Sequence, residues 1–357
     1  MLPTLLRISI PAGWGFPVAL AVVLLLAVGR AVAYRRRLVR EGSNTTFLAA
    51  LLDDKLTIGI LLVAAVIAWR SGMLEGPISL PLHTYGLLIA TAFVVGIWLA
   101  QREGKRQGQD PERIADLSFW ILVAALVGSR VYFIFVNWGD YFGPGSTVVT
   151  RFGRIPRLLA LWEGGLVFYG GFIGAALTAW WYMRRNRMAF LPHADTLIPS
   201  VAFGHFLGRL GCFAAGCCWG RPCDAGLPWG ASFPPESLAF QSFEMRENGA
   251  RFLSHDHLFT VPLHPTQLYE AGGELLLFAL LVLWVRPQKR FHGQALAFWL
   301  MAYAVLRTTV ESFRGDVERG VVAGLGVGQW TSIAIFATGV AVWVLARKGA
   351  RAALAAA

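Results

Sequence analysis

The chain has 357 residues, of which 56% are hydrophobic and only 15% are charged. Its mean hydropathy of +0.54 excludes an ordinary water-soluble domain and predicts a polytopic membrane protein. The formal net charge of +11 would suit a nucleic-acid-binding protein, but the basic residues concentrate in short loops between apolar stretches, as in membrane proteins. We therefore expect a lipid bilayer, and no nucleic acid, as a partner.

Nine apolar stretches are long enough, or nearly so, to cross a hydrocarbon core that needs about 20 helical residues. Asp53, Asp54 and Lys55 interrupt the second, so an eight-span arrangement stays open. The first is followed by Arg30 and YRRR and lacks a small-residue cleavage site, which indicates a retained helix. The stretches lie near 13–34, 47–69, 84–100, 117–136, 164–183, 194–215, 264–285, 294–313 and 328–346.

Basic residues distinguish the two sides of this arrangement. One set of connections, with the loops YRRRLVR, QREGKRQ, MRRNR and RPQKR and the tail ARKGAR, is richer in Lys and Arg than the opposite set. The positive-inside rule places that set in the cytoplasm and the amino terminus outside. Residues 216–263 form the longest connection, rich in Pro and Gly, and we expect a small head domain there on the outer side.

Charged residues inside the apolar stretches are candidate functional residues, because burying them in a membrane is costly. Arg130, Arg209, Arg307 and Glu311 lie at one depth, in the outer halves of the fourth, sixth and eighth stretches. Arg314 shares a helix face with Arg307 and Glu311. An Arg307–Glu311 pair that only fixes helix packing is the alternative. That pair leaves Arg130 and Arg209 without an intramembrane acid. The surplus positive charge predicts a phospholipid phosphate as ligand.

Three further motifs lie on the same predicted side. The glycines of WEGGLVFYGGFIG surround Tyr169 and predict either an accessible tyrosine or a tightly packed helix interface. Tyr85 in HTYGLL is either functional or an ordinary aromatic-belt residue. The segment HPTQLYE enters the seventh stretch and is either an entry turn with a helix start or a source of substrate-binding residues. Its candidates are His264, Gln267, Tyr269 and Glu270.

All four cysteines lie within twelve residues, at Cys212, Cys217, Cys218 and Cys223. The spacing CxxxxCCxxxxC is not that of a zinc finger, a zinc ribbon or a ferredoxin, so we predict no metal site, with a soft-metal site as the alternative. If Cys218 and Cys223 face an oxidising compartment, we expect a local disulfide between them. Otherwise they are small packing residues. The chain contains neither GxxxxGK[ST] nor HExxH, and we expect no cofactor.

Five segments resemble the prolipoprotein diacylglyceryl transferase family and occur in the family's order. They are HTYGLL, WEGGLVFYGGFIG, GRLGCFAAGCCWG, LHPTQLYE and RTTVESFR. The resemblance covers residues 83–346 and implies an all-α polytopic membrane protein, with a seven-helix core and an extracytoplasmic head insertion at 216–263. We expect residues 1–82 to be an extension with one or two further transmembrane helices, and residues 347–357 to be a cytoplasmic tail.

The resemblance also implies a reaction. Such enzymes move the diacylglyceryl group of phosphatidylglycerol to the lipobox cysteine thiol of a preprolipoprotein and release glycerol phosphate. It implies that Arg209 binds the lipid phosphate and that Arg307, Glu311 and Tyr85 are essential. Gly216 and Gly220 are expected as positions of close approach.

Two departures from the family bear on the proton acceptor. Some members carry His in place of Tyr169, and some carry Asn and Glu in place of Cys212 and Cys217. The second departure leaves Glu311 as the nearest buried acid that the sequence suggests. Tyr169, Tyr85 and Glu311 are equal candidates to accept the thiol proton.

We expect Arg130 and Arg314 to assist Arg209 and Arg307 at the phosphate. An anion transporter, a membrane scaffold and a different phospholipid-using transferase are the rival functions. We favour the bacterial cytoplasmic membrane, with the active site towards the outer leaflet.

Overall fold

The computed structural model describes residues 4–10, 17, 20–21, 78–142, 147–150, 153–156, 167–224, 226–315, 321–322 and 325–356. Nearly all of the stretches predicted at 13–34 and 47–69 therefore lie outside the described residues. The described chain divides into two compact units. One contains α1, most of α2, and α4 to α9; the other contains α3 and the β3–β4 hairpin.

Helices dominate the described residues. Helix α7 continues into a π-helical turn at Leu281–Val285, and a 3-10 turn at Gly249–Phe252 follows α6. The helices are α1 Thr84–Arg106, α2 Pro111–Val136, α3 Trp138–Phe142, α4 Phe168–Arg185, α5 Phe190–Ala215, α6 Leu238–Glu244, α7 Thr266–Leu280, α8 Gln294–Glu311 and α9 Val327–Ala356.

Short strands, which the sequence did not predict, form two-stranded ribbons. β1 pairs with β2, β3 pairs with β4 from Thr147 opposite Pro156 to Thr150 opposite Gly153, and β5 pairs with β6. Their ranges are β1 Thr4–Ile10, β2 Ile78–His83, β3 Thr147–Thr150, β4 Gly153–Pro156, β5 Val321–Val322 and β6 Leu325–Gly326.

Five of the described helices are long and apolar enough to cross a membrane: α1, α2, α5, α7 with its π-helical turn, and α9. They confirm the spans predicted at 84–100, 117–136, 194–215, 264–285 and 328–346. The stretches at 164–183 and 294–313 form α4 and α8, which have 18 residues each and are about 27 Å long. The polytopic helical fold is confirmed.

Large apolar side chains cover the outer faces of these helices. Val94 on α1, Leu283 after α7 and Leu345 on α9 expose 70%, 76% and 68% of their surface. Water-soluble proteins rarely expose continuous apolar surface of this extent. Such a surface is favourable against lipid, as expected of a multi-pass membrane protein.

Helix α5 is the centre of the first unit, with α1 and α7 packed along it, and α8 packs against both α5 and α9. Asp195, near the start of α5, fixes the start of α8. Its carboxylate accepts hydrogen bonds from the backbone N–H groups of Gly293 at 2.7 Å and Leu296 at 3.0 Å, which would otherwise be unpaired at a helix start. Nearby, Glu103 of α1 binds Arg286 at 3.2 Å. These contacts join α5 to α8 and α1 to the end of α7.

The glycine-rich motif packs α4 against α2. A methyl group on Gly170 or Gly174 would overlap a backbone carbonyl oxygen of α2, and Gly171 lies against a serine side chain of α2. The predicted helix interface is confirmed for these three glycines, because close approach of two backbones requires them. Gly164 and Gly165 lie outside the described residues.

The long connection folds over the ends of α5, α7 and α8. Its backbone is tied to both later helices: Gly220 donates to the His264 carbonyl at 3.0 Å, and Arg221 donates to the Phe313 carbonyl at 2.9 Å. The limits 216 and 263 of a separate head domain stay a prediction. Its small apolar core consists of Trp219, Phe233, Ala239, Phe243 and Leu263.

Candidate active site

Three helices bring charged side chains together at one side of the first unit. Arg209 lies less than two turns before the end of α5, Glu270 lies in the second turn of α7, and Arg307 lies one turn before the end of α8 at Glu311. These helix ends meet because the backbone of residues 216–221 links them. The site therefore sits near one end of the helix bundle.

Glu270 is fully buried and contacts both arginines. Arg209 Nη2 donates to Glu270 Oε1 at 2.8 Å, and Arg307 Nη1 donates to Glu270 Oε2 at 3.3 Å. The Tyr303 hydroxyl donates to Oε1 at 3.4 Å, and His205 Nε2 lies 3.6 Å from the same oxygen. One carboxylate thus orients both guanidinium groups.

A second polar layer lies one helical turn deeper. Arg209 Nε donates to His205 Nε2 at 3.2 Å, so the proton of the neutral ring lies on Nδ1 and is donated to Glu274 Oε1 at 2.7 Å. The indole of Trp299 donates to Glu274 Oε2 at 3.2 Å and stacks on Tyr303 with 5.2 Å between ring centroids. This layer fixes the tautomer of His205 and the position of Arg209.

Arg307 also pairs with Glu311 on its own helix. Arg307 Nη2 lies 2.5 Å from Glu311 Oε2, an ion pair that lacks hydrogen-bond geometry. The side chain of Glu311 keeps 12% of its surface exposed. Helix α9 closes over it at Gly328, where a methyl group would lie 2.5 Å from Glu311 Oε1. Glu311 is therefore held from two sides but not sealed.

The expected surplus of positive charge is wrong for the described residues. Arg209 and Arg307 both pair with Glu270, and Arg307 also pairs with Glu311. The expectation that Glu311 is the nearest buried acid is also wrong, because Glu270 contacts Arg209 directly. The predicted stretch at 264–285 includes Glu270, but Glu270 was predicted to bind substrate and was not counted as a partner of the arginines.

Spacing in the sequence could have revealed this network. Polar and aromatic side chains recur every fourth residue on all three helices, which places them on one helix face. The recurring sets are His205 and Arg209, Glu270 and Glu274, and Trp299, Tyr303, Arg307 and Glu311. Four residues of the network were not among the predicted site residues: His205, Glu274, Trp299 and Tyr303.

Arg209 keeps hydrogen-bonding capacity for a ligand. Its Nε and Nη2 are engaged, whereas Nη1 makes no hydrogen bond to any residue that the structure describes.

A cavity of about 300 Å³ is lined by Gly220 and Arg314, and its wall also includes Arg221, Arg246 and Arg251. Guanidinium groups of this kind bind phosphate through paired N–H donors.

Gly216 and Gly220 are positions of close approach. Gly216 ends α5 with φ 66°, and a methyl group on it would lie 2.5 Å from the Ser237 Cβ atom. A methyl group on Gly220 would lie 2.5 Å from the His264 carbonyl oxygen. Gln267 Nε2 donates to the Cys217 carbonyl at 2.6 Å and so secures the turn between the two glycines.

His264 and Tyr269 form a separate pair beside this turn. Tyr269 accepts a hydrogen bond from Trp229 Nε1 at 2.9 Å, and its hydroxyl lies 3.1 Å from His264 Nδ1. Burial and the charge of Arg221 lower the pKa of His264, which favours the neutral ring. His264 Nδ1 and the Tyr269 hydroxyl thus share one hydrogen bond beside the turn.

The remaining predicted residues lie on other helices. The ring of Tyr85, in the first turn of α1, packs over Gly211 of α5, where a methyl group would lie 3.1 Å from Tyr85 Cδ2. Arg130 is buried on α2, with its guanidinium 5.9 Å from the Phe133 ring centre. Tyr169 starts α4 and is 51% exposed. Tyr85 thus adjoins the helix that carries the central arginine, while Arg130 and Tyr169 belong to the α2–α4 pair.

Of the two alternatives predicted for Cys218 and Cys223, the disulfide does not form in this structure, where all four cysteines are free. Cys223 lies in the long connection, where its N–H donates to the Pro262 carbonyl at 3.0 Å. Cys218 stays at the end of α5, where its sulfur lies within 4.8 Å of the sulfurs of Cys212 and Cys217.

Comparison with known proteins agrees with this architecture. The sequence profile described as prolipoprotein diacylglyceryl transferase matches residues 74–345. The phosphatidylglycerol–prolipoprotein diacylglyceryl transferase of Bordetella avium is 34% identical over 285 residues, which cover 77% of this chain and 94% of that protein. The enzymes of the same name from Photorhabdus laumondii and Psychrobacter arcticus are 32% and 31% identical, over 76% of this chain and 90% and 91% of theirs. The chain therefore belongs to the prolipoprotein diacylglyceryl transferase family.

Proposed function

We propose that this protein transfers the diacylglyceryl group of phosphatidylglycerol to the thiol of the lipobox cysteine in a preprolipoprotein. The relatives named above carry the name of this activity. The observation that carries the proposal in this chain is Arg209, whose guanidinium is fixed by Glu270 and His205 and whose Nη1 makes no hydrogen bond within the described residues. The reaction needs no cofactor.

The chemistry is a displacement at the C3 carbon of the glyceryl group. The cysteine thiol loses its proton, and a sulfur electron pair forms the new C–S bond. The C–O bond to phosphate breaks, and its electrons leave with glycerol phosphate. The products are a thioether and a phosphate monoester, so the site must stabilise negative charge on the phosphate and accept one proton.

Arg209 is proposed to bind the phosphate through Nη1. Its other two nitrogens are already bound to protein, so the donor needs no reorganisation when charge develops on the leaving group. Arg307 is held by the same carboxylate and adds a second positive charge. Arg130 and Arg314 are proposed to contribute to the electrostatic field.

The turn at residues 216–220 is proposed to form the wall beside the head group. Gly216 and Gly220 keep this turn compact, since neither position has space for a side chain. His264, Gln267 and Tyr269 of the HPTQLYE motif hold the turn and line its surroundings. Substrate contact by these three residues is part of the proposal.

Glu311 is proposed as the acceptor of the thiol proton. Glu270 is completely buried and forms ion pairs with two arginines. Glu311 forms an ion pair with one arginine and is partly exposed. A proton acceptor must reach the incoming thiol. Tyr85 and Tyr169 are the alternative acceptors, and each is tested by replacement with Phe.

The protein is proposed to lie in the cytoplasmic membrane of a bacterium, with its site towards the outer leaflet. The support is the excess of Lys and Arg in the connections opposite the site, which the positive-inside rule places in the cytoplasm. This orientation gives the site access to secreted signal peptides.

The test is transfer of labelled diacylglyceryl from phosphatidylglycerol to a lipobox peptide by the purified full-length protein. We expect Arg209→Ala to reduce the rate by about 100-fold or more and Arg209→Lys to restore only part of it, because Lys lacks the planar fork. Arg102→Ala, on the opposite end of α1, is the matched control and should retain activity. Near-normal transfer by folded Arg209→Ala protein would refute the phosphate site.

Two substitutions in the substrates separate this reaction from that of another phospholipid-using transferase. A lipobox peptide with Ser in place of Cys should accept no lipid, since its hydroxyl is a much weaker nucleophile at neutral pH. Phosphatidylethanolamine in place of phosphatidylglycerol should support much slower transfer. Equal use of either substitute would assign the chain a different reaction on the same core.

A further inference from the structure

Three cysteines converge at the end of α5, beside the proposed phosphate site. The sulfurs of Cys212, Cys217 and Cys218 all lie within 4.8 Å of one another. A cation bound to three thiolates at about 2.3 Å requires sulfur separations near 4 Å. The three sulfurs therefore need only small rotations about their side-chain bonds to bind one ion.

The backbone holds these cysteines in place. The chain turns back after Gly216, so that the Cys217 N–H donates to the Cys212 carbonyl at 3.0 Å. The carbonyls of Cys217 and Cys218 accept hydrogen bonds from Gln267 at 2.6 Å and Thr266 at 2.8 Å. These bonds fix both ligands of the turn before any ion binds.

Cys218 has an unusual conformation, with φ 60°, a left-handed geometry that L side chains rarely adopt. Conformations of this kind are costly and concentrate at functional sites. In this conformation the Cys218 sulfur lies beside those of Cys212 and Cys217.

A cysteine binds a metal ion as the thiolate, not as the thiol. Binding of one cation by Cys212, Cys217 and Cys218 therefore releases their protons.

We propose that Cys212, Cys217 and Cys218 form a three-thiolate site for a single soft cation such as Cu(I). Sulfur ligands select soft metals such as Cu(I) over hard cations. Structural Zn(II) sites use four protein ligands, and the described residues offer three. The CxxxxCC spacing concealed this site because two of its ligands are adjacent and the third lies one turn back on a helix.

The experiment uses the purified full-length protein, reduced with a phosphine and kept free of oxygen. Cu(I) is titrated in competition with a coloured chelator, and bound copper per chain is measured after desalting. Cd(II) serves as a second probe, read by its thiolate charge-transfer absorbance. Mg(II), a hard cation, is the negative control.

We expect one Cu(I) per chain in the wild type and in Cys223→Ser, the matched control, whose sulfur lies outside the cluster. Cys217→Ser and Cys218→Ser should each weaken binding at least tenfold without changing the thermal midpoint in the absence of metal. The proposal is overturned if reduced wild type binds no stoichiometric Cu(I) or Cd(II). It is also overturned if Cys223→Ser loses the ion as fully as Cys218→Ser.

Discussion

Replacing Glu270 with Gln removes the carboxylate that both Arg209 and Arg307 contact. Glu270 has no exposed surface, so the two guanidinium groups would keep their charges in a buried site without this partner. Removing one member of a buried ion pair costs about 3–5 kcal/mol, which corresponds to a fall in thermal midpoint of roughly 5–15 °C for a protein of this size. Transfer should fall by about 100-fold, because a shift of the arginines by 1 Å is enough to misplace the phosphate.

Glu274→Gln is the matched control, one turn further along α7 and equally buried. Its carboxylate accepts from neutral His205 and from Trp299 and contacts no arginine in the described residues. Losing these hydrogen bonds to a charged group should cost about 1.5–3 kcal/mol. Both variants are measured in detergent by tryptophan fluorescence during heating and by the transfer assay. If Glu270→Gln is no less stable and no less active than Glu274→Gln, the shared carboxylate is not what positions the arginines.

Three further substitutions test separate parts of the site. Gly220→Ala should destabilise the protein by about 1–3 kcal/mol or more. The control is Gly272→Ala, whose added methyl group would have nothing within 4 Å and which should be neutral or stabilise the helix by up to about 1 kcal/mol. Equal thermal midpoints for the two variants would contradict the close approach at Gly220. Gly328→Ala should displace the Glu311 carboxylate and so lower the transfer rate, with only a small change in the thermal midpoint. An unchanged rate would count against Glu311 as the proton acceptor. Tyr169→His should retain transfer, and a large loss in Tyr169→Phe would make the Tyr169 hydroxyl the better acceptor.

The positions and lengths of the apolar stretches predicted the helices well. A bilayer-spanning segment needs a long run of apolar residues, and a helix pairs all of its backbone polar groups within such a segment. The spans 117–136 and 194–215 correspond to α2 and α5, and the sequence placed the glycines around Tyr169 at a helix interface as one of two alternatives. These features depend on local composition. Five motifs in order carried the family assignment.

Charge pairing within the site was not predicted correctly, since it depends on which helices are neighbours. Nothing in the segment HPTQLYE indicates that Glu270 faces α5 and α8, so Arg209 was predicted to lack an acidic partner. The i, i+4 recurrence was present, but a polar stripe on one helix identifies a partner only when the facing helix is known. The proximity of Cys218 to Cys212 and Cys217 could not be predicted for the same reason, because the turn at Gly216 decides which sulfurs meet.

The charge balance of the site explains how two arginines can be retained at membrane depth. Isolated, they would be too costly to bury, and a phosphate alone would have to offset that cost each time it bound. Glu270 offsets the cost of burial permanently and holds both arginines in position. Arg209 Nη1, which makes no hydrogen bond within the described residues, is left for the ligand. The negative charge of Glu270 weakens the attraction between the arginines and the lipid phosphate before reaction. In return, the hydrogen-bond donors stay fixed at the place where charge develops on the leaving phosphate. Binding energy accelerates a reaction under this condition.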